Sequence, residues 1–367
     1  MDLEVLQENL SKALLITSRF VSSRAQLPVL ANILLVAGKT KLTVSATNLE
    51  TSASISLGSK IKEDGELTIP AKTFFEIVSN LMQGTIHLEA EKESLKITGS
   101  GFTGRISGMN SSDFPKVPQT IKKDESINLS KTEFLNALPQ VSFAASSDEG
   151  RPVLTGILFI LSKKSLSLVA TDGFRLSRKT ISLEGTGKEI KTIIPKNILL
   201  EVSRVGEENE NVLLDVKEKE KQIVFGLNNL ILSSRVLEGE FPDYEKIIPK
   251  NSSVKVRVDK EELLRAVKLS SVFARDSANI VKIKIMKDSI KLSAESSQVG
   301  NQETTIDAKV EGELIDISFN YKFLEDFLRA VVGEEVVMEF NNASSPGVFT
   351  DPKDPNYLHL IMPVKVQ

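Results

Sequence analysis

The chain repeats itself. LTVSATNLETSASISL from Leu42, LSLVATDGFRLSRKTISL from Leu166 and IKLSAESSQVGNQETTI from Ile290 align on Ala46, Ala170 and Ala294, spaced 124 residues apart both times. A second landmark holds nearly the same period. TIPAKTFFEIVSNL, IIPKNILLEVSRV and SFNYKFLEDFLRAV place Pro70, Pro195 and Asn320 at intervals of 125 residues. LPVLANILL and RPVLTGILF add Pro28 and Pro152, again 124 apart, whereas the last copy reads SANIVKIKI and lacks the proline. Self-similarity at a fixed long period marks duplicated structural units. Three landmarks on one period predict three homologous domains, 1–123, 124–250 and 251–367, of ordinary domain size. The seams QTIKKDESINLS and IIPKNSSVKVRV are short and polar, so the domains are expected to be tethered tightly.

Each copy divides again. ENLSKALLITSRFV has helical periodicity, and ANILLVAGKTKLTVSATNLETSASISL then alternates apolar and polar through three β segments. AKTFFEIVSNL followed by TIHLEAEKESLKITGSGFTGRISGM repeats the arrangement, with GKTK and EKES breaking the alternation as hairpin turns do. A helix followed by antiparallel strands, twice per domain, is an α+β pattern with helices on one face of the sheets.

Composition bounds the chemistry. With no cysteine among 367 residues there is no disulfide framework or thiol nucleophile, and a reducing cytoplasm fits. No segment reads as a signal peptide or a membrane span, so the expected location is cytoplasmic. The only histidines are His87 and His359, and neither has a companion at metal-ligand spacing. No phosphate-binding loop, nucleophile elbow or dinucleotide fingerprint occurs. Asp172 stands alone, because its counterparts in the other copies are Asn48 and Ser296. A non-enzymatic protein with no metal and no cofactor is the expectation.

The formal net charge of −3 shows no basic surface at the level of the whole chain, but the helical segments together hold 11 basic and 8 acidic residues. Lys72, Lys131, Lys196, Lys260 and Lys322 all fall in the first turn of their helices. That end of the helix dipole disfavours a cation by a few tenths of a kcal/mol, roughly. An anionic partner such as phosphate would offset the cost.

LPVLANILL, RPVLTGILF, ATDGFRLS, EGEFPDYEKIIP and the terminal HLIMPVKVQ, taken in order over the full length, resemble the bacterial DNA polymerase III β subunits, the replicative sliding clamps. The resemblance implies three clamp domains per chain and a head-to-tail homodimeric ring, with helices lining the inner face and sheets outside. Such a ring encircles duplex DNA without reading its sequence, and tethers replicative and repair polymerases, the clamp loader and repair proteins through their clamp-binding peptides. The implied peptide pocket takes Leu154, Thr171, Gly173, Phe174, Arg175 and Leu176 from the middle domain, then Pro242, Lys246 and Ile247. The third domain adds Ser344 and Pro346, and its tail Leu360, Met362, Pro363, Val364 and Lys365. Phe174 stands where the family motif often has histidine, and Lys246 and Lys365 where arginine is common. Arg24 is the implied DNA contact, joined through helix placement by Arg19, Lys72, Lys131, Lys196 and Arg204. For the dimer, Ile106 is expected against Val272 and Phe273 of the other subunit. The alternative is a β-rich repeat scaffold that binds proteins and ignores DNA.

Overall fold

The alternating segments form antiparallel strands, and the periodic ones form helices, in the order the repeat requires. The computed structural model describes residues 1–22, 27–183, 189–205 and 211–365. Among them are the helices α1 (Gln7–Thr17), α2 (Ala71–Asn80), α3 (Lys131–Ser142), α4 (Lys196–Arg204), α5 (Lys260–Ala274) and α6 (Tyr321–Ala330). No helix among these residues is long and apolar enough to cross a membrane. Each of the six begins where a strand ends. The lysines in first-turn positions are compensated locally in two cases: Asp259 caps α5 by accepting from Glu262 N, and Asn320 caps α6 by accepting from Lys322 N.

The chain forms two compact units, Met1–Thr132 with Asn197–Val236, and Glu133–Lys196 with Leu237–Gln367. Three repeats thus give two contact units, because strand ladders join neighbouring repeats as continuously as they join strands within one. In the first unit, Thr51–Gly58 of the first copy pairs with Leu230–Arg235 of the middle copy. In the second, Arg175–Ser182 of the middle copy pairs with Asp354–Ile361 of the third. The first unit holds an eight-stranded sheet running from Ile127–Ser130 at one edge to Gly65–Pro70 at the other. Its second sheet has five strands and ends on Phe102–Ser107. The second unit holds a nine-stranded sheet between Ile190–Pro195 and Lys309–Gly312, and a four-stranded sheet that ends on Gly300–Asp307.

Burial follows the periods. Leu10 and Leu14 of α1 and Phe74 and Val78 of α2 are fully buried in the first unit, and Gln7 Nε2 donates to Val78 O at 2.7 Å to join the two helices. Apolar burial of this kind, at about 25 cal/mol per Å², supplies most of the favourable free energy. In the second unit the third copy's core is aromatic. Phe327 lies nearly parallel to His359, with ring centroids 5.3 Å apart, and to Tyr357 at 5.9 Å. Phe349 meets Phe319 edge-on at 5.6 Å.

His359 is the one histidine inside this core. Its strand pairs it with Ser177, and Ser177 Oγ lies 2.6 Å from His359 Nδ1. Nε2 is buried with no partner among the described residues. Burial, with the Arg175 guanidinium nearby, holds the imidazole well below the ordinary histidine range. The folded chain therefore binds fewer protons here than the unfolded chain, so this stability is complete above about pH 6.5 and is lost as pH falls below it, at up to about 1.4 kcal/mol per pH unit. Denaturant unfolding of the second unit between pH 7.5 and 5.5 is expected to show that slope. His359→Gln, which stays neutral, is expected to remove it; an unchanged slope would place the titration elsewhere.

Candidate docking site

The turn between Ser165–Thr171 and Arg175–Ser182 is built from its own side chains. Thr171 Oγ1 donates to Arg175 O at 2.6 Å and accepts from Gly173 N at 3.1 Å. Asp172 Oδ1 accepts from Phe174 N at 2.9 Å and from Arg175 N at 3.0 Å. Gly173 has φ +94, a conformation that side-chain-bearing residues rarely adopt. The same turn exists in the first copy. There Thr47 Oγ1 donates to Thr51 O, and Asn48 Oδ1 accepts from Glu50 N and Thr51 N. Asp172 is thus a turn former. What sets this copy apart is its cargo, Phe174 and Arg175 in place of Glu50 and Thr51.

Phe174 stands exposed at the tip of the turn. Its carbonyl accepts from Met362 N at 2.8 Å, which fastens the C-terminal segment beside it. Beneath them Leu176 is paired with Leu360, and Leu360 with Val348, in one row across the nine-stranded sheet. Leu176, Leu360, Val348, Val169 and Tyr244 share one apolar cluster, so the row forms a floor. Tyr244 comes from the 3-10 turn Tyr244–Ile247, whose Ile247 is exposed next to it. Lys246 is exposed and paired with Asp243 at 2.8 Å. Pro242 is exposed, Pro363 and Val364 are half-buried, and Val364 N donates to Ser318 O at 2.8 Å. Lys365 and Ser344 are exposed, and Pro346 is half-buried where the chain enters Gly347–Asp351.

Leu154 is buried, as Thr171, Leu176 and Leu360 are, and its neighbour Val153 packs on the apolar cluster. One of the expected pocket residues behaves differently from the rest. Arg175 is spent internally. Its Nε donates to Asp172 Oδ2 at 3.0 Å, Nη1 to Asp326 Oδ2 at 2.6 Å and Nη2 to the Phe143 carbonyl at 2.9 Å. The guanidinium also lies over the rings of Phe323, 4.5 Å from the centroid, and Phe143, at 5.3 Å. With its side chain only 11% exposed, it braces the turn from below rather than presenting a charge to a ligand. Asp326, Phe143, Phe323 and Tyr244 are the members the sequence reading missed. Tyr244 lay inside the quoted EFPDYEK; the other three have no local signal.

The basic positions also sort themselves. Arg24 lies outside the described residues. Lys72 is exposed. Lys131 corrects the expectation: it is 2% exposed, so its ammonium is not offered to an outside phosphate. Lys196 is half-buried beside Arg175 and Asp326, and burial, with Arg175 adding to it, holds its ammonium below the usual lysine range. Arg19 and Arg204 are accessible, and both are bound to Glu201. Ile106 is buried in its own unit and leaves little side-chain surface for a partner, whereas Val272 is exposed and Phe273 is half-buried against the third copy's core. Among the described residues no group of three or more His, Asp and Glu side chains is disposed to hold a metal.

The bracing role of Arg175 is open to measurement. Arg175→Ala leaves Asp172 and Asp326 without their shared partner and is expected to cost about 2–4 kcal/mol. Arg175→Lys keeps the charge but cannot reach three acceptors at once, and is expected to be nearly as costly. Amide exchange at Phe174 and Leu176 should accelerate in both; native-like protection in Arg175→Ala would show that the turn stands without the brace.

Comparison with known proteins agrees with this architecture. The family models of the DNA polymerase III beta subunit match in order: the N-terminal domain over residues 1–118, the central domain over 128–243 and the C-terminal domain over 245–365. The beta sliding clamp of Bacillus subtilis is 30% identical over 358 residues, 94% of each chain. That of Staphylococcus aureus is 29% identical over 360 residues, 95% of each chain. The crystal structure of the DNA polymerase sliding clamp from Bacillus subtilis superposes with a TM-score of 0.95 at 27% identity, covering 100% of both chains. The chain belongs to the DNA polymerase III beta subunit family, the beta sliding clamps.

Proposed function

We propose that two copies of this sliding clamp close head to tail into a ring around duplex DNA, and that the ring works without catalysis as a mobile tether. The observation that supports it most is the rule of strand pairing between repeats. The strand after the turn in the first copy pairs with the last strand of the middle copy, and its middle-copy equivalent pairs with the last strand of the third. Continuing the rule, Gly300–Asp307 of the third copy requires the last strand of a first copy, Phe102–Ser107. Both strands stand at sheet edges with one side unpaired among the described residues. Two such joints, one at each end, close a dimer and pair both of these edges, the usual remedy for an edge that would otherwise aggregate. Backbone pairing carries the joint, with Val272 of α5 as its apolar supplement.

Inside the ring the helices would meet only the phosphate backbone, through Lys72, Arg19, Arg204 and the segment that carries Arg24. Contact of that kind is independent of sequence and weakens with salt. Retention then comes from topology, and a chain of net charge −3 suits a ring that must move along DNA. On the outside, the exposed Phe174, Ile247 and Met362 around the Leu176–Leu360 floor offer an apolar slot for the Leu and Phe side chains of an extended clamp-binding peptide. Polymerases, the clamp loader and repair proteins would dock there in turn.

Native mass spectrometry is expected to show a species of about 81 kDa, twice the 40.3 kDa chain. Loaded protein should remain on nicked circular plasmid and leave when the plasmid is linearised. Equal loss from both would mean that the DNA does not pass through a closed ring. For the slot, Phe174→Ala and Met362→Ala are each expected to weaken a fluorescent Gln-x-x-Leu-Phe peptide at least tenfold, roughly the effect of losing a binding hot spot. The mass of the assembly should not change in either variant.

A further inference from the structure

Glu201 holds two arginines at once. Its Oε2 accepts from Arg19 Nη1 at 3.0 Å and its Oε1 from Arg204 Nη1 at 2.6 Å. The two partners come from distant places in the sequence, Arg19 from the turn after α1 and Arg204 from one helical turn further along α4. The Glu201 side chain is 18% exposed, while Arg19 and Arg204 are 38% and 60% exposed. The carboxylate is therefore the inner member of the triad and the guanidinium groups are its outer face. An acid recurs at this register of the repeat, as Glu76, Glu201 and Asp326, each 125 residues from the next. The third-copy Asp326 is bound to the bracing Arg175, whereas Glu201 holds two cations that remain open to solvent.

We propose that Glu201 is an internal counter-anion that sets how tightly the ring grips the DNA backbone; this rests on the reading above in which Arg19 and Arg204 face the duplex. With Glu201 in place the triad carries one net positive charge rather than two. Each arginine has donors besides Nη1, so a phosphate can bind without displacing Glu201, but it meets a guanidinium whose charge is already partly neutralised. Such a contact gains less free energy than one to an unpaired arginine and is more easily reversed. The arrangement gives arginine contacts that form along the whole length of a duplex without becoming brakes. Glu201 acts through the arginines and is a positioning residue for them.

The test compares full-length protein with Glu201→Gln, Arg19→Ala/Arg204→Ala and the triple variant, using a fluorescein-labelled linear duplex of mixed sequence across a salt series. Glu201→Gln is expected to tighten binding at low salt by roughly two- to thirtyfold, the range for releasing two exposed ion pairs. The plot of log affinity against log salt should also steepen by about one to two units, as up to two more phosphates are neutralised. A packing role for Glu201 would not move that slope. The double arginine variant should weaken binding, and adding Glu201→Gln to it should change nothing further. Unaltered affinity and slope in Glu201→Gln, alongside weakened binding in the double variant, would overturn the counter-anion while leaving the DNA-facing reading intact. Tighter binding that persists after both arginines are removed would overturn it as well. Wild-type binding that is insensitive to removing both arginines would instead overturn the reading beneath it. Melting temperature and native mass are monitored throughout, and Glu201→Ala replaces Glu201→Gln if the amide variant fails to fold.

Discussion

The antiparallel ladder that crosses from one repeat to the next is the constraint on which the rest of this structure depends. A sheet edge left bare presents a row of unmet donors and acceptors. Here a strand of the first repeat pairs with one of the middle repeat, and a strand of the middle repeat with one of the third, so backbone hydrogen bonds fuse copies that the sequence separates by polar seams. Arg175–Ser182 and Asp354–Ile361 show what this achieves. Their pairing aligns Leu176 with Leu360 and Ser177 with His359, so a buried apolar row and a buried hydrogen bond come from a single register. Lys179 and Gln140 both bind Asp354 at the start of the same ladder, adding polar ties to the backbone ones.

The proposed docking slot follows from that register. Its floor takes Leu176 from the middle copy and Leu360 and Val348 from the third. Phe174 is held out by a turn whose hydrogen bonds come from Thr171 and Asp172, and Met362 is fastened to it by one backbone bond. Arg175 then fixes the turn against α6 through Asp326. An arginine suits this position because its planar fork satisfies three acceptors while stacking on two rings, which a lysine cannot do. Its charge is consumed in the process, so the slot that remains is mostly apolar.

Much of this was legible in the sequence, for a definite reason. Ala46, Ala170 and Ala294 sit in strands whose alternation is local, and the helices obey a period that shows in a dozen residues. Element type and order therefore follow from pattern, whereas Leu176 and Leu360, which the ladder pairs, are brought together in the sequence only by the resemblance of ATDGFRLS and HLIMPVKVQ to family motifs. The failures share a different cause. Lys131 occupies the helix start where the pattern puts it, but whether a long side chain turns outward or inward is decided by tertiary neighbours. Asp326 and Phe143 were missed because they reach Arg175 across separations of 151 and 32 residues, and nothing in their own segments signals it. Glu201 reads locally as one acid of a helix, and its two partners are evident only in space.

The duplicated turn carries a consequence of its own. Thr47–Asn48 and Thr171–Asp172 hold their loops with the same hydrogen bonds, although one tip displays Leu49 and Glu50 and the other Gly173 and Phe174. The frame is therefore indifferent to what it displays. A duplicated gene could alter the display in one copy while the other kept only the structural duty, without reopening the problem of folding. The first two copies are a single bracket bearing different fittings, and specialisation needed only to change a fitting.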